Sequence, residues 1–191
     1  AVFISKEAAD KMHRFLRSVR KKHKFIIGIN PSANWKLKRW PAANFAYVAD
    51  KLIEQLKCAV FFIGTDKDNK ITEQVLKHMH HTSYNMCGKT TVSELAALMK
   101  SFSLFLSNDS GPAHLAASLN IPTFILFGPT SSQLTAPRSK AVKIICSNAP
   151  KKPECKIPCY NLKCKDNICM KNISVNEVLT QIRNELLKKH V

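Results

Sequence analysis

The residues able to do chemistry gather in three short stretches, each of which follows an apolar run. The first, INPSANWKLKRWP at 29–41, sets a turn of small residues, Asn30, Pro31, Ser32 and Ala33, before Lys36, Lys38 and Arg39. Those cations stand where an anion would meet the positive end of the next helix. Composition alone reads the stretch as a solvated basic loop over Trp35 and Trp40; two tryptophans flanking three cations make a phosphate site the chemical alternative. The second stretch is SNDSGPAHLAASL at 107–119. Asp109 and Ser110 have the side chains of helix caps, Gly111 lets a ligand approach the backbone, and amides at 110–113 would face an anion. His114 falls on the first turn, where an imidazole can donate to a phosphate oxygen or shuttle a proton. The third is FIGTDKDNK at 62–70, where Asp66 and Asp68 follow Gly64. An acidic side chain there can bond ribose hydroxyls; turn formation is the plainer role for an aspartate. FGPTS at 127–131 adds a fourth loop whose sequence does not separate function from turn geometry.

These stretches need elements to position them. Short β-rich runs occur at 25–30, 59–64, 84–88, 103–107, 123–128 and 142–146, and most are separated by helical patterns. After Pro41, which suits a first helical position, Phe45, Val48, Ala49, Leu52 and Leu56 form one apolar stripe. A further helix is expected over 69–80. Thr91 with Glu94 has the spacing of a capping box ahead of Val92, Leu95, Ala96 and Met99, and Ser174 with Glu177 repeats it ahead of Val178, Ile182 and Leu186. The strand runs are apolar throughout rather than alternating, as in strands covered by helices on both faces. Strand–helix alternation of this kind predicts an α/β domain built on a doubly wound parallel sheet, whose ligands sit at the carboxyl ends of the strands. Residues 1–24 read as a basic amphipathic helix, and 147–172 as a long Pro-, Lys- and Cys-rich loop.

Charge sets the broader question. The chain has 191 residues, 30 basic and 13 acidic side chains, and a formal net charge of +17. Residues 1–40 hold eleven basic and two acidic groups, 41–137 seven of each, and 138–191 twelve and four. The excess therefore sits at the two ends, around a neutral centre. Apolar residues are 45% of the chain, an ordinary globular content, and no apolar run reaches the length of a spanning helix. No export signal is visible, and seven cysteines make an odd count, which together point to a reducing cytosol. Cys155, Cys159, Cys164 and Cys169 lack the paired C-x2-C knuckles of common zinc sites and read as free thiols or a local disulfide closing a loop.

The motifs N-P-S-A-N-W-K-L-K-R-W-P at 30–41, L-S-N-D-S-G-P-A-H-L-A-A-S-L at 106–119 and L-F-G-P-T at 126–130 resemble glycosyltransferase family 9 in order and spacing. This is the family of the ADP-heptose:lipopolysaccharide heptosyltransferases. The late C-x4-C-M at 164–170 and the I-S-V helix after it look like the family's tail, so the resemblance spans about residues 25–185. It implies a GT-B architecture of two Rossmann-like domains with the active site in the cleft. This chain would be the C-terminal, nucleotide-sugar-binding domain: 25–191 the Rossmann-like unit with its final helix at 174–189, and 1–24 a linker or the end of a preceding acceptor domain that supplies the general base. Carried over residue by residue, Lys38 neutralises the diphosphate and Ser32 and Ala33 line its pocket. Ser110, at a position where the family more often has Thr, binds phosphate together with Gly111. Asp109 holds the sugar, His114 sits against the phosphates, and Asp68 takes the place of a family Glu that contacts ribose or base. Lys38, His114 and Asp109 are the catalytic candidates.

The activity so implied is an inverting transfer of heptose from ADP-heptose to a lipopolysaccharide core acceptor, without a metal, in a cytoplasmic enzyme peripheral to the inner membrane. The nucleotide-sugar donor, the glycolipid acceptor, the N-terminal domain and an anionic membrane surface would be its partners, and nucleic acid would not. The alternative from charge alone is a basic module that binds polyanions or nucleic acid without catalysis. Against it, aromatic residues are only 8% and no RRM, KH or zinc-finger pattern is present.

Overall fold

A computed structural model describes residues 2–147, 155–159, 161 and 163–188. Six parallel strands form one sheet: β1 (Ile26–Asn30), β2 (Ala59–Phe62), β3 (Tyr84–Asn85), β4 (Leu104–Asn108), β5 (Thr123–Phe127) and β6 (Val142–Cys146), in the order β3-β2-β1-β4-β5-β6. The helices are α1 (Lys6–Lys22), α2 (Ala42–Leu56), α3 (Asn69–Leu76), α4 (Val92–Met99), α5 (Gly111–Ser118), α6 (Ser132–Thr135), α7 (Ile168–Lys171) and α8 (Val175–Lys188). All the residues of β1, β2, β4 and β5 are buried, which is why their sequences are apolar without alternation. The edge strands β3 and β6 are partly open.

Strand periodicity divides the core. Ile27, Ile29, Val60, Phe62, Leu104, Leu106, Phe124 and Leu126 face α2, α3 and α8. Ile26, Ala59, Phe61, Ile63 and Phe105 face α1, α4 and α5. The basic N-terminal helix belongs to this second layer: Met12, Leu16 and Val19 of α1 are buried against the sheet, and Lys11 pairs with Glu94 at 2.6 Å. The segment expected to be a linker or the end of a preceding domain thus packs on the sheet. Each such apolar side chain contributes about 1.5–3 kcal/mol.

Local signals explain most boundaries. Thr91 and Glu94 form the expected reciprocal cap, Glu94 N donating to Thr91 Oγ1 at 3.2 Å and Thr91 N to Glu94 Oε2 at 2.8 Å. Its counterpart is half formed. Glu177 N donates to Ser174 Oγ at 3.3 Å, but the Glu177 carboxylate accepts from Gln181 instead. Pro41 is the N-cap of α2 rather than its first helical residue. The helix expected over 69–80 ends at Leu76, and the strand expected over 84–88 stops at Asn85, because the chain turns at Gly88 with φ of 70°. Residue 189, in the last helix as expected from sequence, and 148–154, 160 and 162 in the Cys-rich loop lie outside the described residues.

The chain leaves β3, passes through α4 and returns on the far side of β1, so the winding direction reverses between β1 and β4. That reversal opens a crevice beyond the carboxyl ends of the two strands. Gly28 in β1 lies under Phe102 and Phe105, and a Cβ there would overlap the Phe102 ring. Gly28→Ala is expected to lower stability by about 1–3 kcal/mol through overpacking. The reading is a lower denaturant midpoint at constant slope, and an unchanged midpoint would contradict this packing.

Candidate functional site

The crevice is a cavity of about 540 Å³, lined from the ends of β1, β2 and β4. Its walls include Ser32, Ala33, Lys38, Asp68, Asp109, Ser110, Gly111 and His114, the residues carried over from the family resemblance, whereas Lys36, Arg39 and Asp66 do not line it. Its size suits a small-molecule ligand.

Two buried asparagines shape the first loop. Asn30, at the end of β1, donates to Ile63 O at 3.0 Å and accepts from Ser32 N at 3.0 Å. Asn108, at the end of β4, donates to Pro31 O at 2.8 Å and accepts from Trp40 N at 3.1 Å, which ties both ends of the 31–40 loop to the neighbouring strand. Trp40 is 2% exposed, packs edge-on against Phe45, and donates through its indole to Ile173 O at 3.2 Å. Arg39 Nε donates to Ala33 O at 2.8 Å. Trp40 therefore lies beneath the loop as expected, whereas Trp35 remains half-buried at the cavity wall. Neither asparagine is among the site residues named from sequence. The available signal was a polar residue closing an apolar strand, since a buried amide needs partners.

The loop places Lys38 Nζ 2.6 Å from Asp109 Oδ2, with the two side chains 22% and 7% exposed. Thr130 Oγ1 donates to the same carboxylate oxygen at 2.8 Å. The 127–131 loop thereby acquires a role that its sequence did not disclose. The geometry also corrects the capping expectation for the second stretch. Ser110 is the N-cap of α5 but makes no side-chain cap bond; its hydroxyl meets Ser107 Oγ at 3.0 Å, and Asp109 faces Lys38 and Thr130. The row of amides over 110–113 is shorter than expected too, because Pro112 has no N–H and Ala113 N donates to Ser110 O at 3.1 Å. Ser110 and Gly111 remain at the open first turn. A Cβ on Gly111 would meet no atom within 4 Å, so its bare face looks into open space beside the cavity. His114 is exposed on the rim.

Asp68 closes the opposite side. Ser32 Oγ donates to its Oδ1, and Thr65 N and Thr65 Oγ1 donate to Oδ2 at 2.8 and 2.7 Å. Burial opposes ionisation, but these donors and the nearby Arg39 outweigh it and hold the carboxyl below its ordinary range. Asp66 and Lys67, which share its helical turn, are exposed. Among the described residues no group of three or more His, Cys, Asp or Glu is placed to hold a metal ion. Cys155, Cys159, Cys164 and Cys169 are free thiols that surround a small apolar cavity beside Leu37 and Pro129.

The sequence model of glycosyltransferase family 9 (heptosyltransferase) matches residues 4–165. Lipooligosaccharide heptosyltransferase 2 of Campylobacter jejuni is 33% identical over 174 residues, an alignment covering 88% of this chain and 53% of that protein. Two solved structures superpose on the whole architecture. A glycosyl transferase of family 9 from Veillonella parvula has a TM-score of 0.80 at 25% identity, over 98% of this chain and 53% of that one. An E. coli ADP-heptose LPS heptosyltransferase II has 0.75 at 26% identity, over 100% and 54%. The chain belongs to glycosyltransferase family 9, and its fold is one Rossmann-like half of the GT-B architecture. It spans about half the length of these relatives.

The folded pKa of Asp68 lies below the unfolded one, so its contribution to stability is present above the ordinary carboxylate range and is lost as pH falls through the depressed value. Ser32→Ala removes a donor to the ionised form. The Asp68 carboxyl titration, followed by carbon-13 NMR, is expected to move up, and the variant's stability deficit to shrink as pH falls through that interval. An unmoved titration would contradict the Ser32 bond.

Proposed function

We propose that this chain is the C-terminal, nucleotide-sugar-binding half of an inverting heptosyltransferase that takes heptose from ADP-heptose and passes it to a lipopolysaccharide core acceptor. One observation carries the reading: loops after three different strands bring Lys38, Asp109 and the first turn of α5 into one cavity at the topological switch point. Membership of family 9 and the names of its relatives supply the sugar and the acceptor class.

In the reaction an acceptor hydroxyl forms a bond to the anomeric carbon as the bond to the nucleoside diphosphate breaks and the diphosphate leaves with the electron pair. Negative charge then builds on the leaving oxygens. Lys38 has three N–H donors; one faces Asp109, and the others can reach a phosphate at the same time. The open amides of Ser110 and Gly111, with the α5 dipole behind them, point donors at that charge before it forms. Such preorganised donors stabilise the transition state more than the bound substrate, and in this reading they take the place of a metal. Asp109 retains Oδ1 for a sugar hydroxyl while Thr130 and Lys38 hold Oδ2. His114 on the rim would donate to phosphate. Asp68, already engaged by Ser32 and Thr65, would shape the ribose end with its remaining acceptor capacity. The acceptor site and the base that takes the hydroxyl proton are assigned to an N-terminal GT-B domain. The whole enzyme would work on the cytoplasmic side of the membrane, and no described helix is long and apolar enough to span it.

The polyanion reading drawn from net charge fits this cavity poorly, because two carboxylates line it. Calorimetry tests the donor assignment: the chain is expected to bind ADP, and Lys38→Ala to weaken that binding about 10- to 100-fold, the range for a charged hydrogen bond. Without Lys38, the Asp109 carboxylate would also repel the diphosphate. Equal affinity in the variant would refute the site, and sugar transfer by this chain alone would refute the divided active site.

A further inference from the structure

Two loops supply donors to Asp109, and the C-terminal part of the chain touches each of them at the residue before its donor. Asn167 Nδ2 donates to Leu37 O at 3.1 Å, next to Lys38, and Cys159 N donates to Pro129 O at 2.7 Å, next to Thr130. Lys38 and Thr130 in turn share Asp109 Oδ2. Asn167 is not among the residues that line the first cavity; it lines a second one of about 720 Å³, which shares Trp35 with the first and is bordered by Lys36, Arg39, Lys163, Lys165 and Lys171. Any effect of Asn167 on a ligand in the first cavity therefore passes through the loop.

The backbone explains why Leu37 O is open to such a partner. Lys36–Lys38 form a single tight helical turn, in which Lys38 N donates to Trp35 O at 3.0 Å and Arg39 N to Lys36 O at 3.1 Å. The next bond of the turn would run from Trp40 N to Leu37 O, but Trp40 N is given to Asn108 Oδ1. A carbonyl shielded from water needs another donor, and Asn167 supplies it. Asn167 is free to do so because it is the N-cap of α7 and makes no side-chain bond to its own helix, the ordinary use of an asparagine there. Its footing is firm. Met170 and Ile173 are buried in the core, the Trp40 indole donates to Ile173 O, and Gly128 lies so close to Met170 that a Cβ there would overlap Sδ.

We infer that Asn167 is a positioning residue of the donor site: through Leu37 O it fixes the turn that aims the Lys38 ammonium at Asp109 and at the diphosphate. Asn108 holds the loop at Pro31 O and Trp40 N, on either side of Lys38. A third tie between those points, one residue from Lys38, keeps the turn from swinging about its two ends. Lys38 then meets an anion with little left to order. The role in binding rests on the donor-site reading; the tie between Asn167 and the Lys38 turn does not.

The test is a double-mutant cycle on the chain, read by calorimetry with ADP. Asn167→Leu is expected to bind ADP about three- to tenfold more weakly, the range for one neutral hydrogen bond. Made on top of Lys38→Ala, the same change is expected to cost less than about twofold, because nothing remains for Asn167 to position. A residue that only supports the fold would cost its full factor in both backgrounds, and that additivity, or an unchanged affinity in Asn167→Leu, would overturn the proposal. Asn167→Ser, which keeps a good helix cap but is too short to reach Leu37 O, is expected to behave alike and serves if the leucine variant does not fold. Hydrogen exchange without ligand supplies the second reading. The Lys38 and Arg39 amides are expected to exchange at least about threefold faster in either variant while those of α2 and α8 keep their rates. Rates unchanged at Lys38 and Arg39, or raised evenly along the chain, would refute the tie. If the unaltered chain fails to bind ADP while exchange follows the expected pattern, the donor reading falls, and the role in binding with it, while the tie stands.

Discussion

Lys38 and Asp109 lie 71 residues apart in the chain and meet at 2.6 Å, and the geometry of the candidate site depends on that meeting. The contact requires β1 and β4 to be neighbours, which in turn requires the winding of the sheet to reverse between them. It also requires the 31–40 loop to be pinned at both ends, which Asn108 does through Pro31 O and Trp40 N. A lysine on an unpinned loop would lose the pair to side-chain entropy, as exposed ion pairs do. Here the carboxylate is almost wholly covered, and Thr130 supplies a second donor to the same oxygen. A partly buried ammonium held in place by a buried acid is ready for an anion, because little remains to be ordered when the ligand arrives.

The sheet was legible because burial on both faces writes itself as short apolar runs, and α2, α4 and α8 because their stripes and caps are local. Boundaries were less legible where a single backbone angle decided them, as at Gly88 beyond β3. Within the site, residue types told where chemistry would occur and much less about who would meet whom. N-D-S-G before a helix is an ordinary capping sequence, and nothing local distinguishes an aspartate that folds back on its own helix from one that reaches across to Lys38. The same holds for Thr130, whose partner is 21 residues away. Asn30 and Asn108 carried a fainter mark, an amide at the end of an apolar strand, whose meaning is fixed only when the adjacent strand is known.

The charge of the chain divides along the same lines. The surplus at the N-terminal end lies partly on the exposed side of α1, whose other side is core, and partly in the Lys36–Arg39 cluster. The C-terminal surplus includes Lys163, Lys165 and Lys171, which the fold brings back to that cluster. Two basic segments that look independent in sequence thus border one groove beside the first cavity. Net charge described neither cavity, because the first mixes cations with carboxylates and the described lining of the second does not.

A titration of the nitrogen-15-labelled chain with ADP, followed amide by amide, tests the central claim most directly. The account predicts the largest shifts at Ser32 to Trp35 and at Ser110 to His114 excluding Pro112, with Asp68 moving less and α1 and α8 still. Binding that leaves those two loops unmoved, or shifts concentrated on the basic face of α1, would contradict it.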